Sequence, residues 1–324
     1  MFLSFAPMEG LTGADYRRVH RAMFPGVDRY YAPFVSPDTA GNLKRRQLEE
    51  LRREADTGLV PQLLASEAGA FLAAARSLAD LGFTEINLNL GCPSGTVTAK
   101  RKGAGLLAEP DALCRLLDGI FASPPAKISV KTRMGWASTE EFAALLEIYR
   151  RYPLSELIVH ARDRAGMYRS APDAAGVAPV LTGSPFPVCY NGDIFSPAQL
   201  ERVARQLPGL ERVMLGRGAV ADPALFRVLR GGAPLRAEEL RAFLDALLDA
   251  ALASGLSPLF ALNRLKELWY YLRCKFPGGE KPLKALLKSR RIEDYREALD
   301  ALFDGGFFDP GACFQAPADM PRAF

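Results

Sequence analysis

The chain alternates short apolar runs with longer stretches of helical periodicity, and it does so eight times before the pattern stops. The apolar runs lie at 2–6, 29–32, 59–63, 85–89, 127–131, 157–160, 188–191 and 212–215. Runs of this length suit strands buried on both faces of a parallel sheet. Helical patterns fall between most of them, at 14–24, 68–81, 111–121, 140–152 and 197–206. Such alternation has two solutions: a closed (β/α)8 barrel or an open, doubly wound sheet.

The ends of the runs separate the two. Met8-Glu9-Gly10 follows the first, Gln62 closes the third, and Asn89 and Cys92 end the fourth. Lys131 and Arg133, then His160 and Arg162, then Asn191-Gly192-Asp193, then Gly216-Arg217-Gly218 end the last four. In a barrel these ends meet on one face and form one site. In an open sheet most would be strung along an edge, far from any crevice. The expected fold class is therefore α/β, a (β/α)8 TIM barrel over 1–232 followed by a small C-terminal helical bundle.

The stretch 85–105 has the densest chemistry. An apolar strand with Asn87 and Asn89 between its hydrophobic residues stops at Gly91-Cys92-Pro93, and a loop with Lys100, Arg101 and Lys102 follows. A thiol there can give a proton or attack an electrophile, since its unperturbed pKa is about 8.5. Cys92 as a buried packing residue is the competing possibility. Gly216 to Ala221 fits a loose dinucleotide pattern, GxGxxA, but no further strand follows to complete a βαβ unit. A phosphate cradle after the last strands, with Arg217 adding charge-assisted bonds, suits the position better.

Beyond Gly231-Gly232 the pattern is helical only, with helices expected near 237–253, 259–274, 283–288 and 294–302. Arg264, Lys266, Arg273, Lys275, Lys281, Lys284, Lys288, Arg290 and Arg291 gather there with interleaved Phe260, Trp269, Tyr270, Tyr271 and Phe276. That combination is the footprint of a nucleic-acid surface over 233–310; a solvated helix face over an aromatic core is the alternative. The last stretch, 311–324, shows no periodicity and reads as a tail that is free to be disordered. The odd, widely spaced Cys92, Cys114, Cys189, Cys274 and Cys313 argue for reduced thiols and a cytoplasmic protein. With His20 and His160 as the sole histidines, no metal is expected, and no apolar run is long enough to span a membrane. The first residues read as a strand rather than a signal peptide. A monomer would be sufficient.

The ordered strings APMEG (6–10), NLGCPS (89–94), SVKTRMG (129–135), HAR (160–162), NGDI (191–194) and GRG (216–218) together resemble the tRNA-dihydrouridine synthases. The resemblance implies an FMN-binding TIM barrel with a helical tRNA-binding domain, reducing the C5=C6 bond of a tRNA uridine with NADPH. It implies Cys92 as the catalytic acid and Pro7, Met8 and Glu9 as the segment lining the flavin. Gln62, Asn89, Lys131 and His160 would face the flavin; Asn191, Gly192, Asp193, Gly216 and Arg217 would meet its ribityl chain and phosphate. Arg133, Arg162, Tyr168, the loop cations Lys100 and Lys102, and Arg264, Lys266 and Arg273 of the basic helices would contact tRNA. The loop 94–100 departs from versions with two lysines soon after the Cys-Pro, which leaves open which loop cation meets RNA. The helix 263–276 looks somewhat like that of the synthases acting on D-loop position sixteen. Two other readings stay open: a small-molecule pyrimidine or orotate flavoprotein, which would not need the basic helices, and a non-catalytic RNA-binding protein.

Overall fold

The computed structural model describes residues 1–315. Eight strands form one parallel sheet: β1 Phe2–Phe5, β2 Arg29–Tyr30, β3 Gln62–Leu63, β4 Glu85–Leu90, β5 Lys127–Gly135, β6 Leu157–Asp163, β7 Val188–Asn191 and β8 Arg212–Leu215. Their order is β2-β1-β8-β7-β6-β5-β4-β3. The two ends of that order meet through parallel bridges between Tyr31 and Val60 and between Val35 and Leu63. The curled sheet with its outer helices is the expected TIM barrel.

Side-chain alternation sorts the strands. Ile86, Leu88 and Leu90 of β4 face the helices and belong to the main hydrophobic core, while Asn87 and Asn89 point the other way, as a period of two demands. Inside the barrel, Ala6, Tyr31, Val60, Ile158, Cys189 and Met214 pack into a separate buried floor. Beneath it the strand starts are tied by charge: Tyr31 Oη donates to Glu156 Oε2 at 2.6 Å, Arg212 pairs with Glu156 at 3.2 Å, and Arg29 pairs with Glu85 at 3.1 Å. The barrel therefore has a sealed lower end, leaving the C-terminal ends of the strands as the reactive face.

Differences from the expected elements have local causes. The third run, expected over 59–63, enters the ladder only at Gln62–Leu63, with a bridge at Val60; Pro61 between them has no N–H to donate. β5 and β6 run past their expected ends at 131 and 160, which puts Arg133 and Arg162 on strands instead of loops. The helix Arg45–Arg52 was not expected. Its inward side is only Leu48 and the buried Leu51, three residues apart, a repeat too short to stand out in a stretch otherwise charged and laced by Arg45–Glu49 and Arg46–Glu50 pairs at 2.8 and 3.0 Å.

The C-terminal helices are Ala237–Ala253, Pro258–Leu272, Glu280–Lys288 and Ile292–Asp304. The first inserts Phe243 edge-on against Tyr16, Phe24 and His20. Lys275, counted above with the basic surface, is instead buried: its ammonium meets Asp222 at 2.8 Å and the Pro310 carbonyl at 2.9 Å. Trp269, Tyr271 and Phe276 are buried too, so most of the interleaved aromatics form a core and only Phe260 stands well clear of it. Within the expected tail, Phe314 is buried and packs on Phe195, Tyr270 and Tyr271. The tail therefore joins the fold at 314 because an aromatic at an unperiodic position found an apolar slot; 316–324 lie outside the described residues. No helix among the described residues is long and apolar enough to cross a membrane.

Candidate active site

The strand register assembles the site before any loop contributes. Gln62 pairs with Asn87, Asn89 with Lys131, Arg133 with His160, and His160 with Asn191. These partners lie side by side around the upper barrel.

A chain of amides links the first of them. Gly91 N–H and Cys92 N–H both donate to Asn89 Oδ1, at 3.1 and 2.9 Å. A backbone donor cannot be flipped, so the Asn89 carbonyl is held toward the loop. Asn89 Nδ2 therefore donates to Gln62 Oε1 at 2.7 Å, Gln62 Nε2 to Asn87 Oδ1 at 2.7 Å, and Asn87 Nδ2 to Ser129 Oγ at 2.9 Å. Every bond runs in one sense, and Gln62, Asn87 and Ser129 are buried. Asn87 and Ser129 were missed as site residues. The available signal was spacing, since each lies two residues before a candidate on the same strand.

Glycine shapes the loop that carries Cys92. Gly103 has φ +56, and a Cβ there would lie 2.9 Å from the Cys92 carbonyl oxygen and 3.1 Å from Cys92 Cβ. Gly103→Ala is expected to cost about 1–2 kcal/mol for the left-handed backbone alone and to push the Cys92 turn outward. Denaturant unfolding and the alkylation rate of Cys92 would report this; the midpoint should fall and alkylation quicken, and no change in either would mean the loop adapts freely. Cys92 itself is partly buried. Burial pushes its thiol above the ordinary value, while the Ser94 backbone N–H and the charges of Arg133 and Lys131 pull the other way. The thiol is thus protonated at neutral pH.

Lys131 has no hydrogen-bond or ion-pair partner among the described residues. Burial, then repulsion from Arg133, pulls its ammonium down to about 8. His160 is held well below its ordinary value by burial and by Arg133, Lys131, Arg162 and Arg217 around it, so its ring is neutral. A half-sheltered cation with no counter-charge is costly unless something anionic or strongly accepting completes it.

Two arginines meet on one carboxylate. Arg162 forks onto Asp193 at 3.2 and 2.5 Å, and Arg217 donates to Asp193 Oδ1. Arg162 also donates to the Ser170 carbonyl at 2.7 Å. Burial opposes ionisation of Asp193, but the Arg162 hydrogen bonds and the charge of Arg217 outweigh it and hold the carboxyl below its usual range. Arg217 also lies over the Tyr168 and Phe195 rings at 4.7 and 5.9 Å. Asn191 Nδ2 donates to the Met214 carbonyl at 2.8 Å. Gly192 and Gly216 permit close approach: a Cβ on Gly192 would lie 2.2 Å from Tyr190 Oη, and one on Gly216 would lie 3.3 Å from Met8 Sδ. Met8 and Thr12 lock the first loop, Met8 N–H donating to Thr12 Oγ1 at 2.9 Å.

The residues expected at RNA divide into buried and exposed groups. Arg133 is buried, donating to the carbonyls of Gly91, Asp163 and Met167 at 3.0, 2.7 and 2.9 Å, and lies over the Tyr168 ring. With Arg162 it braces the mouth from within. Lys102 donates to Ser36 Oγ at 3.1 Å and Lys266 to the Ser289 carbonyl. Lys100, Arg264 and Arg273 are exposed, and Glu9 lies exposed on the rim. The described residues contain no group of His, Cys, Asp or Glu that could hold a metal ion.

A mouth that gathers a protonated thiol, a lone ammonium, a neutral histidine and a double-arginine clamp can be compared with known proteins. The family model for dihydrouridine synthase (Dus) matches residues 4–246. The chain belongs to the dihydrouridine synthase family. It is 31% identical to the probable tRNA-dihydrouridine synthase of Rhodobacter capsulatus, over 77% of this chain and 74% of that protein. It is 29% identical to the tRNA-dihydrouridine(16) synthase of Aquipseudomonas alcaligenes, over 93% of this chain and 98% of that one. Among solved structures, the old yellow enzyme from Trypanosoma cruzi superposes with a TM-score of 0.51 at 10% identity, covering 72% of this chain and 89% of that one, a likeness of fold. For this family member the closed-barrel reading and the membership expected from the ordered strings both hold.

Proposed function

We propose that the chain is an FMN-dependent tRNA-dihydrouridine synthase that reduces the C5=C6 bond of one tRNA uridine, with NADPH as the source of reducing equivalents. The observation that carries this reading is that a protonated Cys92 thiol and an unpartnered Lys131 ammonium stand at one barrel mouth, close enough to influence each other electrostatically. The residues suit a flavin mononucleotide. Lys131 awaits an electron-rich partner, Gln62 keeps one amide hydrogen without a partner among the described residues, and Gly216 leaves room beside Met8. When bound, the reduced flavin would supply the hydride for C6 of the base.

The protein does the rest. Lys131 stabilises negative charge on the pyrimidine side of the ring. Cys92 gives its proton to C5 and is reprotonated from solvent; burial holds the thiol above its ordinary value and so protonated at pH 7, while the charges of Arg133 and Lys131 favour the thiolate left after donation. Arg217 and the loop around Asn191 to Asp193 form the end suited to the ribityl phosphate. The target base must leave its stack to reach the mouth, while Lys100, Lys102, Arg264, Lys266 and Arg273 hold phosphates. Arg133 and Arg162 shape the wall beside Tyr168. The protein works in the cytoplasm as a monomer.

The deciding experiment maps dihydrouridine in tRNA from a strain lacking the gene, beginning with position 16, for which the relative matching 93% of this chain is named. Purified protein should be yellow and should restore that position with NADPH. Colourless protein that still binds tRNA, or turnover of free uracil or orotate in place of tRNA, would refute the reading.

A flavin held beside Lys131 favours the charged amine, so binding above pH 8 draws in a proton. Affinity of the cofactor-free protein for FMN should therefore fall as pH rises from about 8 toward 10, approaching about tenfold per unit. Lys131→Met should bind more weakly and lose that slope. Fluorescence titration across pH 7–10 checks it; an identical slope in the variant would remove Lys131 from the flavin.

A further inference from the structure

One side chain remains without a task. Phe260 is 67% exposed, the most exposed of the large hydrophobic residues described. It stands near the start of the helix Pro258–Leu272, beside Leu259, which is 47% exposed. Exposing a phenyl ring to water has no benefit for folding, and the rest of this helix buries its aromatics well.

The face on which Phe260 lies leads somewhere. Residues 260, 264, 267 and 271 follow the i, i+4, i+7, i+11 spacing of one helical stripe. At the far end, Tyr271 is buried within electrostatic reach of Tyr168 and Arg217 in the candidate site. Next along, Glu267 Oε2 approaches the β1 loop, 3.3 Å from where a Cβ on Gly10 would lie. Arg264 is exposed and bears on Glu267 electrostatically. Phe260 is the outer end, about 16 Å from Tyr271 along the axis at 1.5 Å per residue. On the adjacent stripe Asn263 is exposed and Lys266 lies near exposed Arg290. Apart from Leu259, the exposed groups that follow along this face and the one beside it are Asn263, Arg264 and Arg290, so the apolar surface is two side chains wide and edged by cations, which disfavours a lipid or an extended apolar protein partner and favours an anionic polymer with flat, stackable groups.

We infer that Phe260 is a stacking platform for an unpaired base of the RNA substrate, with Arg264 on the adjoining phosphate, and that the helix Pro258–Leu272 is the rail from this platform to the barrel mouth. The inference rests on the tRNA reading above and names where, outside the mouth, a base is gripped. Stacking needs a ring face and no hydrogen-bond code, so the platform sets the approach of the RNA without reading its sequence.

The test uses the full-length protein and an unmodified tRNA transcript that the wild type reduces, with flavin absorbance and melting temperature confirming that each variant is folded. Phe260→Ala should weaken transcript binding about 5- to 150-fold, the range expected for one lost base–aromatic stack. Phe260→Trp should restore it and Phe260→Leu should not. The salt slope should be unchanged in Phe260→Ala, whereas Arg264→Ala should reduce it by about one. Binding by Phe260→Ala within about twofold of wild type, far below a stacking loss, would overturn the platform while leaving the tRNA reading intact. Rescue by Leu as complete as by Trp would overturn it too, in favour of a plain apolar contact such as a protein partner makes. A wild type that reduces no transcript would overturn both readings.

Discussion

Cys92→Ala is expected to slow uridine reduction by about 10²–10⁴-fold, the usual contribution of a positioned general acid, while the protein still folds and still takes up flavin. The reason lies in how the thiol is held. Asn89 Oδ1 grips the backbone N–H of Gly91 and Cys92, and Gly103 lets the Cys92 carbonyl accept from Ala104 N–H at 3.1 Å. Those contacts are to the main chain, so removing Sγ leaves the turn in place. Burial keeps the thiol protonated at neutral pH, so the wild-type single-turnover rate should fall on the alkaline side as the thiolate forms. The measurement is oxidation of the prereduced enzyme by tRNA, in wild type and variant, across pH. Near-wild-type rates in Cys92→Ala would take the proton donor away from this residue. Normal rates with a vanished flavin signal would point to a different cofactor altogether.

Asp193→Ala should be the most damaging change to stability. Arg162 is 1% exposed and Arg217 7%, and both reach the same carboxylate. Taking away one partner of a buried ion pair typically costs about 3–5 kcal/mol, because the remaining charge stays buried. Arg162 suffers more, since it loses both of its forked contacts and keeps the Ser170 carbonyl and the neutral His160 ring. The pH dependence follows from the depressed carboxyl. Its stabilising effect is complete above the unfolded value, about 3.9, and is lost as pH falls through the lower folded value. Asp193→Ala should therefore unfold at lower denaturant at neutral pH and show a flatter acid limb than wild type. Equal midpoints at pH 7 would mean that solvent already relieves the arginines.

Local chemistry made much of the site legible in advance. A thiol between Gly91 and Pro93, a lysine directly after Val130 within a buried strand, and Asn191-Gly192-Asp193 at a strand end each announce themselves, because such residues are expensive in a parallel sheet unless the position needs them. Partnership was not legible. Arg133 and Arg162 looked like rim cations, and their bonds to backbone carbonyls and Asp193 place them inside the wall. Lys275 sat in a basic run, yet pairs with Asp222, 53 residues away. Trp269 and Tyr271 looked like part of an aromatic, cation-rich surface, and the bundle folded them inward.

By itself the sequence determined the strand count, the parallel alternation and the face on which the chemistry gathers. Those follow from hydrophobic period and from which residue types stand at strand ends, both properties of a few neighbouring positions. Only the tertiary structure decided which charges are paired, that Asn87 and Ser129 stand behind Gln62, and that a phenylalanine at 314 belongs to the core while one at 260 does not. Pairing energy and burial depend on what lies across space within a few ångströms, and chain spacing carries no record of that distance.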